Sequence, residues 1–129
     1  MEVIKSVVKF FWQLDVYVLA REARTQVFAI SKSFPKSETY SLTDQIRRSS
    51  RSVTSHIAEA WGRRTYRADF INKINMSESE ALETQSWIES AVDCQYIEQA
   101  TGKEMYKMYD NIIGKLVKMQ AKPDMWIIK

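Results

Sequence analysis

Apolar residues recur along this chain at three- and four-residue steps, the spacing of positions on one face of an α-helix. They predict four helices, at about residues 14–33, 42–61, 66–95 and 102–122, after an N-terminal lead-in of residues 1–13. The short connections between them favour helices that alternate in direction. We therefore expect an all-α fold, an antiparallel up-down-up-down four-helix bundle that forms a single domain over residues 1–129.

Polar residues and a glycine mark the expected helix ends. The expected start signals are Asp15 as an N-cap and two capping boxes, Ser41 with Asp44 and Thr101 with Glu104. Gly62 follows the last apolar position of the second helix, where a left-handed C-cap is expected. Serines on the second helix, Ser49 and Ser50 among them, are small enough to let another helix come close.

Each predicted helix has one stripe of apolar residues that would fill the core; in the second helix it is Leu42, Ile46, Val53, Ile57 and Ala60. The other three helices carry a second row of apolar residues beside that stripe. The additional rows are Tyr17 and Phe28 in the first helix, Ile71, Leu82 and Trp87 in the third, and Tyr106, Ile113 and Val117 in the fourth. Scattered apolar residues on a surface are ordinary, but rows on three helices favour an interface between subunits.

Composition narrows the class of protein. Only 3 glycines and 2 prolines occur, too few for the many tight turns of a β-sandwich or barrel. The lone cysteine, Cys94, cannot form an internal disulfide, so a reducing cytoplasm is the expected compartment. No apolar run approaches the ~20 residues of a membrane helix. Lys9 interrupts the apolar lead-in and no small-residue cleavage site follows, so we expect neither a signal peptide nor a membrane partner.

The stretch VTSHIAEAWGRR, residues 53–64, contains the only histidine and is the first place to look for catalysis. His56 and Glu59 are three residues apart and can hydrogen-bond on one helix face, but no nucleophile or oxyanion hole is recognisable beside them. One histidine and one cysteine on different helices cannot supply a metal site. We therefore expect no catalytic residue, no metal and no cofactor. The residues that we expect at helix or subunit interfaces are His56, Glu59, Trp61, Trp87, Ile113 and Val117.

Charge is unevenly distributed, although the net charge is only +3. Residues 41–68 carry six arginines against two acids, whereas residues 69–100 carry seven acids against one lysine. The arginines are Arg47, Arg48, Arg51, Arg63, Arg64 and Arg67. A guanidinium binds carboxylate or phosphate with two hydrogen bonds. Two interpretations stay open: pairing with the acidic third helix, within or between subunits, and binding of nucleic-acid phosphate.

Three stretches of the chain resemble a bacterial family, the four helix bundle proteins, also called 23S ribosomal RNA intervening-sequence proteins. The stretches are LDVYVLAREA, SFPKSETYSLTDQIRRSSRSVTSHIAEAWGRR and DFINKINMSESEALETQ, and they span most of residues 14–96. The second is the most specific, because its paired arginines, small residues and glycine-arginine step are rarely combined by chance. The chain departs from the family at Ala60 and Gln95, where the family usually has glycine.

The resemblance implies an up-down four-helix bundle that assembles as a homopentameric ring. A related branch, the accessory proteins of diversity-generating retroelements, forms a basic pentameric barrel that binds nucleic acid and a reverse transcriptase; the net charge of +3 is low for that branch. The family's basic positions correspond to Arg47, Arg48, Arg63 and Arg64, and spacing adds Arg51 and Arg67.

The function expected from sequence is that of a non-enzymatic oligomer that associates with RNA or a ribonucleoprotein through this arginine cluster. The alternative is a structural or protein-binding oligomer, with a partner protein or only itself as partner, whose arginines form salt bridges between subunits.

Overall fold

The structure is a computed structural model that describes residues 8–128, which form four helices joined by short connections. The helices are α1 (Asp15–Ser31), α2 (Leu42–Gly62), α3 (Arg67–Asp93) and α4 (Gln99–Ala121), and 3₁₀ turns lie at Phe11–Gln13, Lys36–Glu38 and Pro123–Met125. Residues 8–128 contain no strand, so the all-α prediction is confirmed. Of the expected lead-in, residues 1–7 lie outside the described part of the chain.

The hydrophobic core lies between the four helices. Helix α1 packs against α2 and α4, and α3 packs against the same two helices. The apolar stripe of α2 is buried as predicted, at Leu42, Ile46, Val53, Ile57 and Ala60. The largest buried side chains from the other helices include Phe70 and Tyr109. The helix periodicity of apolar residues therefore identified the core correctly, because each stripe had to be removed from water.

Small polar side chains allow α2 and α3 to pack closely. Ser49 and Ser50 are each 1% exposed, which agrees with their predicted place at a helix contact. The hydroxyl oxygens of Ser49 and Thr84 lie 2.8 Å apart, and the Ser77 hydroxyl donates to the Val53 carbonyl over 2.8 Å. A buried hydroxyl left without such a partner would cost about 1–3 kcal/mol.

The helix starts differ from those predicted. Helix α4 begins at Gln99, so Thr101 lies inside it and the predicted capping box is wrong. Leu14, not Asp15, is the N-cap residue of α1, so the cap predicted at Asp15 is wrong. Ser41 is the N-cap residue of α2, but its side chain makes no capping hydrogen bond, so the predicted capping box is wrong there too. The backbone N–H of Leu42 instead donates to the Glu38 carboxylate over 3.3 Å. Gly102 is buried against α3, and a Cβ atom there would lie too close to Val92 Cγ2, so the close approach of α4 to α3 requires glycine at this position.

The left-handed residue also lies elsewhere than predicted. Gly62 is the last residue of α2 and has no positive φ, whereas Gln95, after α3, has a φ of 62°. The backbone N–H of Gln95 donates to Val92 and that of Tyr96 to Ala91, each over 2.9 Å, which is the Schellman pattern of a helix end. The fold therefore keeps a left-handed helix end at a position where this sequence has glutamine.

Candidate nucleic-acid interface

The predicted arginines lie in two places along α2. Arg47, Arg48 and Arg51 belong to its first half, whereas Arg63, Arg64 and Arg67 surround the connection to α3. The helix rises by about 22 Å between Arg47 and Gly62, at ~1.5 Å per residue. One ligand group cannot bridge that distance, so the two sets of arginines are separate candidate sites.

In the first set, two arginines meet residues of α1 around an aromatic ring. The guanidinium of Arg47 lies 4.7 Å from the centre of the Phe28 ring, that of Arg51 lies 5.9 Å away, and the ammonium of Lys32 lies 4.9 Å away. Phe28 is 40% exposed. Arg24, Thr25, Phe28 and Arg51 line a shallow groove of about 330 Å³ beside the ring. We call Arg24, Phe28, Lys32, Arg47 and Arg51 the Phe28 patch.

Hydrogen bonds across the α1–α2 contact hold two guanidiniums of the patch in place. Arg47 Nε donates to the Ser31 hydroxyl over 2.8 Å, and Arg24 Nη1 donates to the Thr54 hydroxyl over 3.1 Å. Both acceptors are neutral. Within residues 8–128, none of the four cations of the patch forms an ion pair with a carboxylate. The positive charge of the patch is therefore positioned but not neutralised.

The carboxylate of the α1–α2 connection is held at the end of the bundle. The Tyr96 hydroxyl donates to Glu38 over 2.7 Å, which lowers the pKa of Glu38 and raises the pKa of Tyr96 to about 12. The other oxygen of Glu38 accepts from the start of α2. Each carboxylate oxygen of Glu38 thus accepts a hydrogen bond, and within residues 8–128 Glu38 forms no ion pair with the cations of the patch.

Arg48 does not belong to the Phe28 patch, although it follows Arg47 directly. Consecutive residues of a helix point in directions about 100° apart. Arg48 lies 3.7 Å from Asp44 on its own helix, and both side chains are well exposed. An exposed pair of this kind contributes about 0–1 kcal/mol and is weakened by salt.

The second set, which we call the turn group, consists of Arg63, Arg64 and Arg67. The Arg64 guanidinium lies 3.5 Å from the centre of the Trp61 ring, and its Nε donates to the Trp61 carbonyl over 2.7 Å. Burial lowers the pKa of Arg64 below its ordinary value. The Trp61 carbonyl, which has no intrahelical partner at the end of α2, is thus satisfied by the Arg64 side chain. This explains why Gly62 needs no left-handed conformation.

The C-terminal residues also bind the turn group. The backbone N–H of Ile128 donates to the Arg64 carbonyl over 2.9 Å, and Arg67 forms an ion pair with Asp124. Arg63 is exposed and forms no side-chain hydrogen bond or ion pair with any residue between 8 and 128. Two of the three arginines of this group are therefore used by the fold itself.

Pairing of these arginines with the acidic α3 helix of the same chain is not found in residues 8–128. Glu78 accepts a hydrogen bond from Gln120 over 2.7 Å, and Glu83 lies 3.3 Å from the indole nitrogen of Trp87. The interpretation of arginine pairing inside one subunit is therefore wrong, because none of the ion pairs within residues 8–128 joins an arginine of α2 to an acid of α3. Pairing between subunits stays a prediction.

The His56–Glu59 hydrogen bond that the spacing allowed is present, at 2.9 Å, and Glu59 also lies 3.6 Å from Lys73 on α3. These three residues form a polar contact between α2 and α3. Among residues 8–128, no three His, Cys, Asp or Glu side chains are grouped closely enough to hold a metal ion. None of the helices in the same range has the length and hydropathy to cross a membrane.

The expected interface residues occupy different environments. Trp61, Trp87 and Ile113 are partly buried against the core. Val117 is 47% exposed, and Tyr106 and Leu82 are exposed to a similar extent. The surfaces of α3 and α4 therefore retain large apolar side chains that the core of one chain does not cover.

Sequence reasoning missed Arg24 and Lys32 and assigned Phe28 only to an apolar row. The three residues are spaced at four-residue steps on α1, so a search for cations and aromatics on one helix face would have grouped them. Their meeting with Arg47 and Arg51 could not be found in this way, because it depends on how α1 packs on α2.

Comparisons with known proteins agree with this fold. A family model described as the 23S rRNA-intervening sequence protein matches residues 12–118. A crystal structure of a protein of unknown function from the S23 ribosomal protein family of Bacteroides thetaiotaomicron has a TM-score of 0.74 and 27% sequence identity, covering 81% of this chain and 97% of that chain. No match is found among curated proteins.

Proposed function

This chain belongs to the 23S rRNA-intervening sequence protein family, and from that premise we propose that it is a non-enzymatic, oligomeric protein that binds RNA or a ribonucleoprotein through its arginines. The observation that carries the proposal is the Phe28 patch, where four cations lie together without a carboxylate partner among residues 8–128. Such a concentration of positive charge attracts phosphate and displaces the counterions of a nucleic acid. Arg63, at the connection between α2 and α3, adds a further guanidinium without a side-chain partner among residues 8–128.

The proposed arrangement of the chain is an up-down-up-down bundle. Hydrogen-bonded positions on neighbouring helices support it, because they rise on one helix as they fall on the next. The supporting pairs are Arg24–Thr54 and Ser31–Arg47 between α1 and α2, Ser49–Thr84 and Val53–Ser77 between α2 and α3, and Asn75–Gln120 and Gln85–Tyr106 between α3 and α4.

The proposed assembly is a homopentameric ring in the reducing cytoplasm. Exposed apolar side chains on α3 and α4, such as Leu82, Tyr106 and Val117, support contact with further copies. A ring repeats each basic patch by symmetry, so a modest charge on one chain becomes a multivalent surface. Light scattering should give a mass near five times 15.1 kDa. A 15.1 kDa species in dilute solution would contradict the assembly.

Salt-dependent binding tests the proposed function. A labelled single-stranded RNA of about 15 nucleotides is titrated with protein between about 50 and 200 mM salt, and affinity should fall steeply as salt rises. Replacing Arg47 and Arg51 by alanine should weaken binding and reduce the slope of log K against log salt by about 1.4, at ~0.7 per lost phosphate contact.

The matched control replaces Lys107 and Lys118, two exposed cations of α4, and should change the slope much less. Failure of the wild-type protein to bind at low salt would refute the RNA-binding function. Equal losses in the two double variants would show that net charge, and not the patch, determines binding. An oligomer that dissociates as salt rises while binding no RNA would favour the alternative, in which arginines form salt bridges between subunits.

A further inference from the structure

The Phe28 patch combines its positive charge with an exposed aromatic surface. Tyr40 is the most exposed aromatic residue between residues 8 and 128, at 94%, and no cation of that range lies over its ring, whereas Phe28 has three cationic groups within 5.9 Å. The negative faces of an aromatic ring attract cations, while hydrogen bonds to hydroxyls of the neighbouring helix hold Arg24 and Arg47 in place independently of the ring. The result is a ring, 40% exposed, with three donors for phosphate placed over it.

We propose that the Phe28 patch binds unpaired nucleotides, with one base stacked on Phe28 and the neighbouring phosphates held by Arg24, Arg47 and Arg51. This inference rests on the proposed RNA-binding function and specifies the form of nucleic acid that the site accepts. A base in a duplex has both faces covered by its neighbours, so only a single strand, loop or end can offer a base to the ring.

The groove beside the ring has dimensions that suit one nucleotide. Its volume of about 330 Å³ is near the lower limit of small-molecule sites, and the groove is open along the surface, as a continuous strand requires. Its lining provides one aromatic ring, two guanidiniums and the Thr25 hydroxyl. These groups match the base, the phosphates and the polar edge of a nucleotide.

The cations of the patch are arranged before any ligand binds. Arg24 and Arg47 each use one N–H for a hydroxyl acceptor of the neighbouring helix and keep their other N–H groups available. Guanidiniums that are already oriented lose less conformational freedom on binding than free side chains would. Trp61 offers no comparable surface, because Arg64 already lies 3.5 Å from its ring centre.

Single-stranded and duplex RNA of the same sequence distinguish this inference. The probes are a fluorescein-labelled 15-nucleotide RNA of about the site size expected for such proteins and the same strand annealed to its complement. Phe28→Leu, which keeps an apolar side chain but removes the aromatic face, should weaken single-strand binding about tenfold. It should leave duplex affinity and the salt slope unchanged, and Phe28→Tyr should restore single-strand binding. Tyr40→Leu, the matched control, should change neither single-strand nor duplex affinity.

The outcomes separate this inference from the function on which it rests. If wild-type protein binds neither RNA, the proposed function itself fails. If RNA binding depends on Arg47 and Arg51 but Phe28→Leu has no effect, or affects duplex and single strand equally, only the stacking inference is overturned. Polyglutamate that competes as well as RNA does would also overturn it, in favour of an acidic protein partner.

In wild-type protein, a photocrosslink from 5-iodouridine RNA should map to α1 at Phe28, and a crosslink confined to other segments contradicts the site.

Discussion

The Phe28 patch and the turn group contain the same kinds of residue in different electrostatic settings. Each brings arginines to an aromatic side chain. At the turn, Arg64 lies against Trp61 and binds its carbonyl, while Asp124 pairs with Arg67. Around Phe28, three of the four cations lie 4.7–5.9 Å from the ring centre, and Arg24 and Arg47 donate to neutral hydroxyls.

The difference shows that an arginine cluster in a sequence does not reveal how its charge is used. At the turn, the Trp61 carbonyl accepts from Arg64 and the Asp124 carboxylate accepts from Arg67, so both arginines are used within the fold. In the Phe28 patch, acceptors are few and uncharged, so the charge stays available for a phosphate. Substitutions of Arg64 and Arg67 should therefore act mainly on stability, and substitutions in the patch mainly on binding.

The largest stability effect is expected for Arg64→Ala. The variant loses a charged hydrogen bond to the Trp61 carbonyl and the contact with the ring, and the free energy of unfolding should fall by about 2 kcal/mol. Arg47→Ala should cost less than about 1 kcal/mol, because the Ser31 hydroxyl keeps its hydrogen bond to the Phe28 carbonyl. Urea denaturation measures the free energy of unfolding of both variants. Equal losses would remove the distinction between the turn group and the Phe28 patch.

A smaller gain is expected for Gln95→Gly, which separates stability from binding. Gln95 has a φ of 62°, and a residue with a Cβ atom in this conformation costs about 1 kcal/mol relative to glycine. The variant should therefore be about 1 kcal/mol more stable, measured by urea denaturation. Its RNA affinity should equal that of the wild type, because Gln95 touches neither arginine group. A change in affinity would mean that stability alone alters binding, which would weaken conclusions drawn from the arginine variants.

The smallest stability effect is expected for Asp124→Asn, which removes the negative charge beside Arg67. Both partners of this ion pair are more than half exposed, so the loss should stay below about 1 kcal/mol and shrink with salt. The salt slope of RNA binding should rise by about 0.7 if Arg67 then gains a phosphate contact. Asp44→Asn, beside Arg48, is the matched control at the other end of α2. An unchanged slope would show that Asp124 is not what keeps Arg67 from phosphate.

Much of the fold was predictable because it depends on local periodicity. The spacing of Val53, Ile57 and Ala60 defined a buried face without reference to any partner, and the ends of α1, α2 and α3 lie within two residues of their predicted positions. The start of α4 was predicted three residues too late, because Thr101 and Glu104 resemble a cap but lie inside the helix, which begins at Gln99. A capping pattern is local, whereas the packing of Gly102 on Val92 of α3 is not.

The sequence by itself determined the four helices, their buried faces and the presence of an arginine-rich second helix, since each depends on residues that are close along the chain. Only the tertiary structure decided which arginines act together. Arg47 and Arg51 meet Phe28 and Lys32 because α1 packs on α2, and Arg67 meets Asp124 because the C-terminal residues return to the start of α3. Charge interactions depend on distance in space, and residues 57 positions apart in sequence can be direct partners.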